Sequence, residues 1–256
     1  MGDGGRMDED KMLTQTAVLP HLTTDWLGRN YCYLETTTST NDVLKQAVAE
    51  DPQRVLPGTV VVTDFQTQGV VAWDAAGEAP SGTALMLSMF FRPDWPAERT
   101  LWLTMLAGLA AADTIEALTP LSITLKWPND IGLELDGVWH KLGGLLVEGE
   151  LAENGRLQQV VVGMGLNVNM TPAQMPEGIV PVTSILAASG QPLERQTLLV
   201  AFLARMESWY ETAAAGKSPY AAWQSRLITP GRQVRAVQAG KWWWERPLAL
   251  MNGVSF

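Results

Sequence analysis

An α+β domain is the fold class this sequence predicts, and three observations predict it. Strand-like segments come first and last, long helical segments lie between them, and β-α-β repeats are few. Asn30–Thr36 is aromatic and β-branched enough for a strand, and Ser39 or Thr40 then caps a short helix over Asp42–Glu50. Pro57-Gly58 turns the chain into Thr59–Phe65, a buried strand by its β-branched run. Gly69–Gly82 has no clear period and reads as a loop before a strand over Leu85–Arg92. Ala97–Leu118 is the strongest helix, with Trp102, Met105, Leu106 and Leu109 at the 3.6-residue period and Pro96 near its start. Ile123–Trp127 reads as a strand, with a hairpin turning at Asp136-Gly137. Leu142–Glu148 and Val160–Asn169 are apolar strands, and Gln196–Ala213 and Tyr220–Leu227 are helices. No internal repeat is visible.

The chain has 256 residues, 46% hydrophobic, with mean hydropathy near zero, enough for one large domain or one plus a small appendage. No uncharged apolar run reaches the roughly 20 residues a membrane span needs, so no membrane partner is expected. Met1–Met12 is rich in Gly and Asp, which suggests a flexible leader rather than a secretory signal. Cys32 is the only cysteine, which excludes an intramolecular disulfide and a cysteine-cluster metal site, and fits a reducing cytoplasm. The net charge is −9 and no Lys/Arg cluster occurs, which argues against nucleic acid as a partner.

Four segments carry chemistry. Ser39-Thr40-Asn41 sets small donors and acceptors at a strand-to-helix junction, beside the free N–H groups of a helix start, a pattern suited to a ureido or amide ligand. Taken alone, simple N-capping is its commoner meaning. Lys126-Trp127-Pro128-Asn129-Asp130 puts a lysine at a strand end, where it can meet a carboxylate or phosphate, with Asn129 and Asp130 placed to orient it or to help hold Mg²⁺. A surface lysine beside an Asx turn would look similar.

Lys141-Leu142-Gly143-Gly144 begins a strand with two glycines, as where something approaches the backbone closely. Gly163-Met164-Gly165-Leu166-Asn167-Val168-Asn169 does not open a helix, so it is no dinucleotide fingerprint. Asn167 and Asn169 alternate onto one face and could bond a nucleotide, while its glycines fit an ordinary strand equally well.

In this order the four segments resemble the catalytic domain of biotin protein ligases, from about Tyr31 to Ser189 and more weakly to Val234. The resemblance implies a mixed sheet flanked by helices, of the class II aminoacyl-tRNA synthetase type, with a C-terminal SH3-like barrel that is here truncated or garbled. It implies a leader over 1–20, a catalytic domain over 21–228 and a barrel remnant over 229–256. Gly231-Arg232-Gln233-Val234 resembles the barrel's start, and Trp242–Trp244 reads as a disordered tail. The implied activity has two steps: biotin and ATP give biotinyl-adenylate, and a lysine of a biotin carboxyl carrier domain then displaces AMP.

By the motif match Lys126 is the catalytic contact to biotin and the adenylate. Ser39, Thr40, Asn41 and Gln66 line the biotin pocket with Gly143 at its wall, and Asn129, Asp130, Lys141 and Asn167 face ATP and Mg²⁺. No site made of protein ligands alone is implied for the metal, and a homodimer is compatible with the family. The bifunctional ligase-repressors carry an N-terminal module of about 60 residues, and some 30 precede Tyr31 here, so a monofunctional ligase is expected.

The chain departs from the family at the adenylate loop. Where biotin ligases carry an arginine-rich stretch and a tryptophan after Gly69, Val70, Val71 and Ala72 begin a segment to Gly77 with no arginine. Codons GTG GTC GCC TGG GAC GCC GCT GGG would encode Val70–Gly77. Preceded by C and read one base earlier, they give Arg-Gly-Arg-Leu-Gly-Arg-Arg-Trp, which is the family loop. The TGG codons of Trp242–Trp244 likewise become valine codons one base earlier. A hypothesis of small frameshifts, a compensating pair around residues 69–77 and another shift in the tail, would account for both oddities; without the arginines the chain is expected to be impaired or to bind biotin without turnover. A lipoate-type ligase is the remaining alternative.

Overall fold

The computed structural model describes residues 13–67, 79–175, 180–231, 234–238 and 241–245. Its centre is a seven-stranded mixed sheet of β1 (Tyr31–Thr37), β2 (Val60–Gln66), β3 (Ala84–Phe91), β4 (Thr124–Lys126), β5 (Asp130–Leu135), β6 (Val138–Leu151) and β7 (Leu157–Asn167). The strands lie in the order β1-β2-β3-β7-β6-β5-β4. Only β1 and β2 are parallel, because helix α2 (Thr40–Glu50) crosses between them; all other pairs are antiparallel. The expected α+β class holds.

The two faces are covered unequally. On one, α3 (Thr100–Leu118) and α5 (Arg195–Ala214) pack with α6 (Tyr220–Arg226) over a core that includes Leu85, Leu87, Met89, Leu106, Leu109, Phe202 and Leu203. Helix α3 is buried nearly all round, which is why its apolar stretch, with the turn Ala97–Arg99, is long enough by length and hydropathy to cross a membrane yet sits inside this domain. On the other face α2 packs through Leu44 and Val48 against Val61, Phe90 and Val161. Among the described residues no second long helix covers that face, and the candidate site lies there.

Three expectations change. The leader does not extend to residue 20: Leu13 and Val18, flanking and ending α1 (Gln15–Val18), are fully buried, and the Tyr31 hydroxyl donates to Leu13 O at 2.7 Å. Residues 1–12 lie outside the described residues. Gly143 and Gly144 do not begin a strand; β6 starts at Val138 and runs through them, because the Asp136-Gly137 turn hands over directly to paired residues. Asp136 and Gly137 both have positive φ, as a tight hairpin of this kind demands. Lastly, Lys241–Glu245, with the three tryptophans expected in a disordered tail, forms strand β9 paired with β8 (Val234–Gln238).

Candidate functional site

Helix α2 begins over the open face because Ser39 is extended, and its hydroxyl accepts from Asp42 N at 3.4 Å as a true N-cap. The capping reading of Ser39-Thr40-Asn41 holds, and the same three residues also form part of a cavity wall. A small cavity is lined by Ser39, Thr40, Asn41, Gln66, Leu87, Leu146, Gly163 and Met164. Thr40 N donates to Gln66 Oε1 at 2.8 Å, which fixes the glutamine amide with its nitrogen turned away from the helix end.

Asn41 is only 4% exposed and its amide is fully engaged. Its Nδ2 donates to Glu148 Oε2 at 2.7 Å and to Leu146 O at 3.4 Å, and its Oδ1 lies 2.5 Å from the Ser88 hydroxyl. Ser88 also lies 2.7 Å from Thr40 Oγ1. The amide fits only because Gly163 has no side chain; a Cβ there would overlap Asn41 Oδ1. On the outer side of Glu148, Lys45 Nζ bonds Oε1 at 2.7 Å and Asp42 at 2.9 Å, and these bonds raise the lysine pKa.

Sheet register builds the floor beyond this cavity. Gly163, Gly165 and Asn167 alternate along β7 and so share the α2 face. Gly165 pairs with Gly144 on β6, Gly144 with Asp130 on β5, and Asp130 with Lys126 on β4. Residues directly opposite one another lie on one face. Two bare glycines therefore form a trough with Lys126 and Asp130 on one bank and Met86 of β3 on the other.

Lys141 reaches the same bank, its Nζ 2.8 Å from Asp130 Oδ1, with the lysine side chain 8% exposed. Lys126 instead holds its ammonium 4.8 Å from the centre of the Trp139 ring, so of the two lysines Lys141 is the one buried at the trough. Asn129 braces the turn that carries Asp130: its Nδ2 donates to Leu145 O at 2.6 Å. The Trp127–Pro128 bond in that turn is cis.

Asn167 is fully buried; its Nδ2 donates to Thr183 O at 3.0 Å, while its Oδ1 has no partner among the described residues. That oxygen therefore keeps unspent acceptor capacity. Asn169 is different. It lies beyond the end of β7 and spends both its amide groups on Leu193, donating to its O and accepting from its N, so its role is structural. Gly143 also moves: a side chain there would meet Gly165 O and Leu166, away from the cavity lining, and Gly144 is the glycine of the trough.

Gly69, Val70, Val71 and Ala72 lie outside the described residues. Sequence reasoning missed Ser88 and Glu148. Ser88 had a signal, as the single polar residue inside the apolar run of β3. Glu148 had none, since a glutamate near a strand end is commonly solvated.

A family model described as the biotin/lipoate A/B protein ligase family matches residues 33–167. The chain is 33% identical over 214 residues to a biotin--[acetyl-CoA-carboxylase] ligase of Mycobacterium tuberculosis, covering 80% of this chain and 73% of that protein. It is 29% identical over 227 residues to the bifunctional ligase/repressor BirA of Bacillus subtilis, covering 88% of this chain and 67% of the relative. Among solved structures, a biotin protein ligase from Aquifex aeolicus in complex with biotin superposes with a TM-score of 0.64 at 26% identity, covering 82% of each chain.

Proposed function

Because the chain belongs to the biotin/lipoate A/B protein ligase family, we propose that its trough activates biotin with ATP and passes it to a lysine of a biotin carboxyl carrier domain. One observation carries the reading: the motif residues from α2, β4, β5, β6 and β7 converge on a single open face of the sheet. The cavity at the start of α2 suits the ureido ring, with Thr40 and Ser39 hydroxyls and the Gln66 amide as its polar groups. From there the bare backbone of Gly163, Gly165 and Gly144 leads to Lys141.

In the first step a biotin carboxylate oxygen bonds to the α-phosphorus of ATP, and the bond from that phosphorus to the bridging oxygen breaks, releasing pyrophosphate. In the second an acceptor amine bonds to the acyl carbon, the acyl–oxygen bond breaks, and AMP leaves while the amine proton passes to solvent. Both steps bring anionic oxygens together. Lys141 supplies the fixed cation, and Asp130 holds it in place before the ligand arrives. Magnesium fits the donor set, since Asp130 and the bare Asn167 Oδ1 are oxygen donors and the ion is commonly shared with nucleotide phosphates. It would neutralise the phosphate charge. The single cysteine, Cys32, supports a reducing, cytoplasmic location for the enzyme.

The test is ATP-dependent pyrophosphate release with biotin, with lipoate in parallel, followed by labelling of a carrier domain. Release with lipoate alone overturns the biotin assignment. A second reading, binding without turnover, has its own observation: Val70–Gly77 contains no arginine. Biotin heat of binding with no pyrophosphate release would establish it.

A further inference from the structure

Hydroxyl and amide groups can be ordered only one way along the chain from Glu148 to Thr40, and that order fixes what Thr40 offers a ligand. A carboxylate only accepts, so the Asn41 amide must turn its nitrogen to Glu148 Oε2, 2.7 Å away, and its oxygen to Ser88. An amide oxygen also only accepts, so the single Ser88 proton goes to Asn41 Oδ1 across 2.5 Å. The 2.7 Å contact between Ser88 Oγ and Thr40 Oγ1 then needs its proton from Thr40, whose other acceptor neighbour, Gln66 Oε1, is farther off at 3.4 Å. With that proton spent, Thr40 faces the cavity as an acceptor. Thr40 is 3% exposed and Ser88 fully buried, so water does not scramble the order.

We infer that Glu148, acting through Asn41 and Ser88, is a specificity-setting positioning residue that makes Thr40 a hydrogen-bond acceptor and so selects a ligand with an N–H at that point. The inference rests on the biotin reading, since the ureido ring of biotin presents N–H groups on both flanks. The polarity begins outside the cavity. Lys45 Nζ takes the other Glu148 oxygen at 2.7 Å, and only a carboxylate satisfies Lys45 and Asn41 together. A glutamine at 148 has one oxygen, which the ammonium claims. Its nitrogen would then face Asn41, turn that amide over, and reverse every bond up to Thr40.

The experiment measures affinity of the full chain for biotin and for its two cyclic carbamate analogues, in which one ureido N–H is replaced by a ring oxygen. The unaltered chain should bind biotin about tenfold or more tightly than the carbamate whose oxygen meets Thr40. Glu148→Gln should collapse or invert that ratio. Adding Lys45→Met to Glu148→Gln should restore it, because the glutamine oxygen is then free to face Asn41. A merely structural Glu148 would not be rescued by removing Lys45. Ser88→Ala, which cuts the chain without adding bulk, should also flatten the ratio. Ratios unchanged in Glu148→Gln and Ser88→Ala, in chains whose melting temperatures show them folded, would overturn the inference alone. No biotin binding by the unaltered chain would overturn the biotin reading with it.

Discussion

At the scale of single residues, Lys141 and Gly163 carry the most consequence for the least surface. Lys141 is held at the trough by Asp130, whereas Lys126 rests on Trp139. A charge-assisted bond to a developing anion is worth about 1.5–3 kcal/mol, so Lys141→Met should lower the rate of adenylate formation by about 10- to 100-fold or more. Lys126→Met should lower it less, and pyrophosphate release measured side by side decides between them. Equal losses would return Lys126 to the role its motif suggests. Gly163→Ala adds one methyl where Asn41 Oδ1 already sits. Displacing that amide should weaken biotin binding by about tenfold or more and lower the melting temperature by several degrees. Titration calorimetry and thermal melts read the two effects separately.

Secondary-structure elements are held to one another by carboxylates at two points, one buried and one half-buried. Glu207 of α5 is 7% exposed and accepts the backbone N–H groups of Asp25, Trp26 and Leu27 at 2.7, 3.0 and 2.8 Å, tying the chain before β1 to α5. Glu207→Ala leaves the buried Leu27 N–H and two half-buried N–H groups without a partner and should cost about 2–4 kcal/mol in denaturant unfolding. At the other end of α5's layer, Arg226 of α6 clasps Glu116 of α3 at 2.8 and 2.9 Å and Asp113 at 2.7 Å. Burial raises the Glu116 carboxyl pKa, but Arg226 and the Ile123 N–H outweigh it and hold it below its ordinary value. The folded pKa is thus lower than the unfolded one. Its contribution is present above the ordinary glutamate value, about 4.3, and is lost as the pH falls through the folded value. Arg226→Met should flatten the part of the stability profile that falls with acid below the ordinary glutamate range, as read by a two-state melt series in acid.

Legibility in the sequence differs by kind of signal at this scale. Apolar and β-branched runs with one hairpin signal locate the strands of the sheet, and periodic apolar positions its long helices, although β6 begins at Val138 rather than Leu142. Facing was harder. Gly143 and Gly144 differ by one position, and one position in a strand exchanges the two faces of a sheet, so a motif match that locates the pair does not say which one meets a ligand. Asn167 and Asn169 seemed to share a face, but β7 ends between them and Asn169 turns to Leu193. Glu148 belongs to the site only through a partner 107 residues away in sequence, which no local pattern reveals.

For the whole molecule, two features of the chain pull against each other: the trough residues are in place, while residues 70–77 contain no arginine or lysine. Lys141 and Lys126 are the cations that the described residues bring to the trough itself, on a chain whose net charge is −9. Biotinyl-adenylate carries a phosphate, and retaining it through the wait for an acceptor lysine calls for several charge-assisted contacts. Replacing residues 70–77 with Arg-Gly-Arg-Leu-Gly-Arg-Arg-Trp adds four arginines and removes Asp74 without changing the length. If each restored contact contributes about 1.5–3 kcal/mol, two of them suffice for a gain of about 100-fold or more in adenylate retention or formation. Single-turnover assays with labelled ATP, comparing the two chains, measure this directly. A gain of that size, with biotin affinity changing less, would place the deficit in the loop and agree with a frame-shifted gene, which resequencing of codons 66–80 checks independently. If the substituted chain turns over no faster than the present one, the trough itself supplies what the arginines do in related ligases, and Lys141 with Asp130 becomes the first place to look for how.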